Sequence, residues 1–80
     1  MTYKTKGTCS SQITFEIVDG IIKNVVFTGG CNGNLKGIGR LVEGMDVEEC
    51  ISRIEGIQCG FKNTSCPDQL AKALRAAVNS

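Results

Sequence analysis

Residues 12–28 read QITFEIVDGIIKNVVFT, and the predicted fold is built around this stretch. Its first half alternates apolar and polar residues, which is the period-2 pattern of a half-buried β-strand. Asp19 and Gly20 then separate two β-rich runs, and Asp-Gly at such a point favours a two-residue type I′ turn. The stretch therefore predicts an antiparallel hairpin.

The turn also predicts the register of the hairpin. Glu16 is expected opposite Lys23 as a charge pair on the solvent side, and a one-residue slip would lose that pair. The register leaves Val25 and Phe27 on the outer face, so we expect a helix, a further strand or another subunit to cover part of it. The other predicted pairs are Val18 with Ile21, Ile17 with Ile22 and Ile13 with Val26.

The segments on either side of the hairpin predict one further strand and up to three helices. Residues 3–10 are the candidate third strand. Apolar spacing predicts a short helix whose apolar stripe is Leu35, Ile38, Leu41 and Val42. Gly37 and Gly39 lie within it and each costs about 1 kcal/mol relative to Ala, so this helix is either weak or packed closely against something.

Two further helices are predicted from their capping patterns. Asp46 with Glu49 begins one helix, which Gly56 is placed to end, and Ser65 with Asp68 begins the last. We therefore expect one α+β domain over residues 1–80. It has an antiparallel two- to three-stranded sheet followed by two or three helices packed on one face.

Composition predicts a small core that needs a staple. The chain has 80 residues, with no Trp, one Tyr and three Phe, so apolar burial alone leaves a thin stability margin. Disulfides, a metal or oligomerisation, for instance as a homodimer, are the candidates. Residues 1–7 are polar and basic, unlike a secretory signal, so we expect a cytoplasmic chain with reduced thiols. A net charge of +1 predicts neither a nucleic-acid nor a membrane partner.

Four of the five cysteines, Cys9, Cys31, Cys59 and Cys66, are the predicted metal ligands. Cys31 and Cys66 each lie near the start of a predicted helix, where backbone N–H groups and the helix dipole favour the thiolate. Six residues separate Cys59 from Cys66, which is workable for one site but is not a zinc-finger spacing. Four thiolates match either a closed tetrahedral zinc site or an iron–sulfur cluster.

Simpler interpretations stay open beside this one. A cysteine is often only a small buried apolar side chain, and we interpret Cys50, in the middle of a predicted helix, in that way. The glycine-rich residues 29–39 lead from a strand into a helix and could cradle phosphate, although they match neither common nucleotide-binding pattern. The chain has no His, so a hydrolytic site lacks its usual general base.

The run Thr64-Ser65-Cys66-Pro67-Asp68 resembles the motif after which the TSCPD domain is named. With the other three predicted ligands, the whole chain is similar to the small four-cysteine branch of that family. Related domains lie at the C-terminal end of adenosylcobalamin-dependent ribonucleotide reductases. This resemblance implies an accessory role in deoxyribonucleotide and DNA synthesis, with a ribonucleotide reductase as partner. Reductase activity itself would require a separate catalytic chain.

A more distant resemblance is to the U-type iron–sulfur scaffold proteins. The three scaffold cysteines of that family match Cys9, Cys31 and Cys66, while the family's Asp and His are replaced by Ser11 and Ser65. The resemblance implies an iron–sulfur assembly protein as an alternative partner. We therefore expect a non-catalytic metal-binding module, with an iron–sulfur scaffold or carrier, or a dithiol electron donor to a reductase, as the alternatives.

Overall fold

The structure, a computed structural model of the chain, describes residues 2–5, 10–29, 32–58 and 64–79. These residues form a three-stranded antiparallel sheet followed by three helices, which confirms the predicted α+β arrangement. The strands lie side by side in chain order. The elements are β1 (Thr2–Lys4), β2 (Ser10–Val18), β3 (Ile21–Gly29), α1 (Asn32–Val42), α2 (Val47–Ile54) and α3 (Cys66–Val78).

The hairpin turn forms as its two residues predict. Asp19 and Gly20 both have positive φ, at 53° and 78°, as a type I′ turn requires. The register beyond the turn is confirmed for three pairs: Val18 with Ile21, Ile17 with Ile22 and Glu16 with Lys23.

The predicted pairing of Ile13 with Val26 is wrong, because β3 contains a bulge. The register shifts by one residue between positions 14 and 16 of β2, where β3 carries an additional residue. We assign that residue as Asn24, whose φ of 55° lies in the left-handed region that Asn tolerates better than most residues. Ile13 is therefore opposite Phe27.

The bulge reverses the predicted facing of Val25 and Phe27. Phe27 lies opposite Ile13, which is fully buried, and directly opposed residues share a face of the sheet. Val25 and Phe27 both pack against the hydrophobic core, whereas Val26 is 55% exposed. The expectation that Val25 and Phe27 belong to the outer face is thus wrong, since the helices cover them from the inner side.

Helix α1 packs against β3 through Gly39. A Cβ atom at Gly39 would lie 2.9 Å from the carbonyl oxygen of Val25, whereas a Cβ atom at Gly37 would meet open space. Of the two explanations for glycine in this helix, close packing therefore holds at Gly39. Leu41, which belonged to the predicted apolar stripe, is 77% exposed.

Backbone hydrogen bonds join the α1–α2 connection to the hairpin. Ile22 donates its N–H to the Met45 carbonyl oxygen at 2.9 Å and accepts at its own carbonyl from the Gly44 N–H at 2.8 Å. The Val47 N–H donates to the Gly20 carbonyl oxygen at 2.8 Å. Helix α2 therefore begins beside the hairpin turn.

Both predicted helix caps form, and the helices that they begin close the core. Asp46 Oδ2 accepts from the N–H groups of Glu48 and Glu49, each at 3.1 Å, at the start of α2.

None of the helices in the described part of the chain is long and apolar enough to cross a membrane. The largest fully buried side chains are Ile13, Ile22, Ile51, Leu70, Leu74 and Cys50.

The two glycines of α1 predict opposite effects of the same substitution. Gly39→Ala places a methyl group against a backbone carbonyl and should lower the free energy of unfolding by about 1–3 kcal/mol. Gly37→Ala is the matched control, and it should raise the free energy of unfolding by up to about 1 kcal/mol because the helix gains a better former. Urea denaturation measures both. Equal changes for the two variants would contradict the close packing of α1 on β3.

Candidate functional site

Cys66 is the one predicted ligand whose position the structure defines. It is half-buried as the first residue of α3, while Cys9, Cys31 and Cys59 lie outside the described residues. Among residues 2–5, 10–29, 32–58 and 64–79, no three His, Cys, Asp or Glu side chains are grouped as metal ligands. Those ranges hold one of the four predicted ligands.

The start of α3 places Cys66 where a negatively charged sulfur is favoured. Ser65 is the N-cap residue, with extended backbone, and its Oγ accepts from the Asp68 N–H at 3.1 Å. Pro67 follows Cys66 in the first turn, which suits Pro because N–H groups there have no partner within the helix. The positive end of the dipole of this 13-residue helix lies at its first turn, which favours a thiolate there.

A buried carboxylate, that of Asp68, organises the chain before Cys66. Asp68 Oδ1 accepts from the Gly56 N–H at 2.7 Å, and Oδ2 accepts from the Thr64 hydroxyl. Lys72 Nζ lies 3.4 Å from Oδ2 as the counter-charge. Gln69 Nε2 adds a hydrogen bond to Thr64 Oγ1 at 3.1 Å. We call these residues, together with Ser65, the Asp68 network.

The Asp68 network joins the two ends of the segment that carries Cys59. Ser65 Oγ donates to the Ile57 carbonyl oxygen at 2.7 Å, and Gly56 is bound by Asp68 itself. Ile57 precedes Cys59 by two residues, and Ser65 immediately precedes Cys66. The chain on both sides of the segment is therefore held to the start of α3.

Asp68 is ionised in spite of its burial. Burial by itself would raise the pKa of its carboxyl group, because it removes the charged form from water. The hydrogen bonds from Thr64 and Gly56 and the nearby Lys72 ammonium act in the opposite direction, and the net pKa is lowered below the ordinary value of 3.8. The network thus stabilises a charged carboxylate at neutral pH.

The ladder between β2 and β3 brings the chain beside Cys9 and Cys31 to one end of the sheet. Ser10 follows Cys9 directly, and its backbone is paired with Gly29, two residues before Cys31. This pair stands at the opposite end of the ladder from the Asp19–Gly20 turn. Residues near Cys9 and Cys31 in the sequence are therefore paired in the sheet, as residues near Cys59 and Cys66 are joined by a hydrogen bond.

Cys50 lacks the accessibility and the charge state that a metal ligand needs. Its side chain is fully buried in the hydrophobic core, and burial raises the pKa of its thiol. A metal ligand has to be a thiolate, which this environment disfavours. The interpretation of Cys50 as a packing residue is confirmed.

Sequence reasoning missed the part that Asp68, Thr64 and Gln69 play. The prediction placed Asp68 only in the capping pattern that begins the last helix. The signal was the spacing of Thr64 and Asp68, four residues apart and so able to meet across the first turn of a helix. Gly56 could not be found in this way because it lies twelve residues before Asp68.

The TSCPD domain model matches residues 1–78, which is nearly the whole chain and includes the Asp68 network. No curated protein and no solved structure matches the sequence.

The ionised state of Asp68 predicts a pH-dependent loss of stability on its replacement. Asp68→Asn should lower the free energy of unfolding by about 1–3 kcal/mol at pH 7, because buried donors lose a charged acceptor. A carboxyl with a lowered pKa stabilises the folded state fully above its unfolded pKa, and that stabilisation disappears as pH falls through the folded pKa. The difference between wild type and variant should therefore shrink below about pH 4 in urea titrations.

The matched control is Asp19→Asn, which neutralises an exposed carboxylate in the hairpin turn and keeps a residue that tolerates positive φ. It should change the free energy of unfolding by less than about 0.5 kcal/mol at every pH. A loss from Asp68→Asn that is equal at pH 7 and pH 3 would show that charge is not the cause.

Proposed function

This chain belongs to the TSCPD domain family, and from that premise we propose that it is a non-catalytic metal-binding module. In the proposed site, Cys9, Cys31, Cys59 and Cys66 together hold a zinc ion or an iron–sulfur cluster. Four thiolates suit both groups, since zinc takes a closed tetrahedral set of four cysteines and clusters are held by cysteine thiolates.

The contact between chain neighbours of the predicted ligands carries this proposal. Ser10 and Gly29 are paired beside Cys9 and Cys31, and Ser65 is hydrogen-bonded to Ile57 beside Cys66 and Cys59. A site built from distant parts of a sequence needs such contacts, because loop closure is otherwise an entropic cost of binding. The thiolate-favouring position of Cys66 supports the same assignment.

The described residues also favour a structural or regulatory role over catalysis. Asp68, the most deeply buried carboxylate, is occupied by Gly56, Thr64 and Lys72 and holds its proton only at acidic pH, so it is poorly placed to act as a general acid. When bound, the metal would cross-link four segments of a domain whose core is small.

We propose that the module serves ribonucleotide reduction as an accessory chain, with a ribonucleotide reductase or an iron–sulfur assembly protein as its partner.

The test is metal analysis of protein purified without air, with wild type beside Cys→Ser variants of the four predicted ligands. Each variant should lose most of the metal that wild type holds. The matched control is Cys50→Ala, which should keep wild-type metal content. Alanine is preferable to serine there because a hydroxyl at this fully buried position would cost about 1–3 kcal/mol if it lacks a partner.

The identity of the bound group separates the forms of the proposal. Zinc without visible absorbance supports a structural or regulatory module, whereas iron and sulfide with visible absorbance support a cluster scaffold or carrier. Wild type that binds no metal would overturn the proposal. In that case a reversible Cys59–Cys66 disulfide on titration with oxidised glutathione, which accepts the two electrons and two protons, would favour the dithiol donor.

A further inference from the structure

A groove of about 450 Å³ runs along the junction of β3 and α1. Val25, Phe27 and Leu35 give it an apolar lining, and Lys36 and Arg40 contribute cationic side chains from α1. Its volume lies within the range of pockets that bind ligands.

The groove follows an edge strand. In the sheet of the described residues, β3 lies at the edge opposite β1. Within the groove the Asn24 N–H is bound to Glu43 and the Val25 carbonyl oxygen faces Gly39 of α1, so side chains rather than strand pairing hold a ligand here. The wall formed by β3 covers residues 24–27, and the opposite wall covers residues 35–40 of α1 and Glu43 just after that helix. At about 3.3 Å and 1.5 Å per residue, the two walls are roughly 10 Å and 12 Å long, which fits a short extended segment.

Lys36 and Arg40 supply two positive charges to a lining that also contains Glu43, and neither cation forms an ion pair with a carboxylate of the described residues. Both are exposed. The ion pairs of the described residues are Arg53–Glu49, Lys72–Asp68 and Arg75–Glu55, and all eight Asp and Glu of the chain are among the described residues. The two cations of α1 are therefore available to a ligand.

The spacing of these cations matches an extended chain. Residues four apart on a helix are separated by about 6 Å along its axis. Alternate side chains of an extended strand are about 6.6 Å apart and point to the same side. Lys36 and Arg40 can thus each meet one of two carboxylates at positions i and i+2 of an extended peptide.

One end of the groove is closed by a contact within the chain. Glu43 Oε1 accepts from the Asn24 N–H at 2.8 Å, and the Asn24 side chain donates to Glu16 Oε2 at 3.1 Å. This contact uses a backbone donor of the edge strand and places negative charge at that end. Acidic side chains of a ligand are therefore directed toward Lys36 and Arg40.

From this geometry we propose that the β3–α1 groove binds an extended peptide segment of a partner protein that carries acidic residues at alternate positions. The apolar residue between the acidic ones packs over Val25, Phe27 and Leu35. The proposal does not depend on the metal site.

The test uses the 15N-labelled full chain and the peptide acetyl-Ser-Glu-Val-Glu-Ser-amide, followed by NMR at low salt. Chemical-shift changes should be confined to residues 24–28 and 35–43 and should weaken as ionic strength rises. Lys36→Glu and Arg40→Glu should each reduce the affinity at least about fivefold, since a rim attraction becomes a repulsion.

Two controls separate this site from general charge attraction. Lys4→Glu makes the same charge change at an exposed residue of β1, at the other edge of the sheet, and should leave the affinity unchanged. The peptide acetyl-Ser-Val-Glu-Glu-Ser-amide has the same composition without the alternate spacing and should bind more weakly. Amide spectra of each variant report whether it is folded.

Several results would overturn the proposal. These are the absence of shift changes, changes outside the groove, equal binding of the two peptides, or no effect of Lys36→Glu in a folded variant. Concentration-dependent shifts at Val25–Phe27 without peptide would instead assign the groove to a second copy of the chain.

Discussion

The carboxylate of Asp68 is buried and has three partners: the backbone N–H of Gly56, the hydroxyl of Thr64 and the ammonium of Lys72. A charge in such a place is tolerable only when its hydrogen bonds are made, so the carboxylate requires the end of α2 and the start of α3 to stay together. The position of Cys66 follows from that requirement. The motif residues around Cys66 therefore hold the backbone conformation that determines where the Cys66 sulfur lies.

Single residues of the motif make more than one contact, so a short motif is enough to fix the start of α3. Ser65 both caps α3 and binds the Ile57 carbonyl, so one side chain fixes the direction of the helix and the return of the preceding segment. Pro67 adds a preset φ to the first turn. The side chains that surround Cys66 in sequence therefore determine where the thiol sits before any ligand is considered.

The turn residues and the cross-strand charge pair predicted the hairpin correctly. The prediction was wrong farther along β3, where the sequence allows either of two alternating sets of residues to face inward. The Asp19–Gly20 turn and the Glu16–Lys23 pair specify register within a few residues, and both were predicted correctly. Val25, Val26 and Phe27 are all apolar, so their pattern cannot say which of them faces inward. At the candidate site, the cap by Ser65 was predictable from neighbours, whereas the hydrogen bond from Gly56 to Asp68 depends on tertiary structure. The four-cysteine set remains a prediction.

The bulge at Asn24 has a consequence for how the length of this chain can vary. Side chains of β3 alternate between the inner and the outer face, and the bulge sets which ones face inward. Removing or adding one residue between the hairpin turn and α1 therefore exchanges inward and outward side chains. Gly39 would then face a different carbonyl, and Phe27 would leave the core. Insertions and deletions in this stretch should therefore be accepted in pairs, while single ones should be confined to the connections outside the strand.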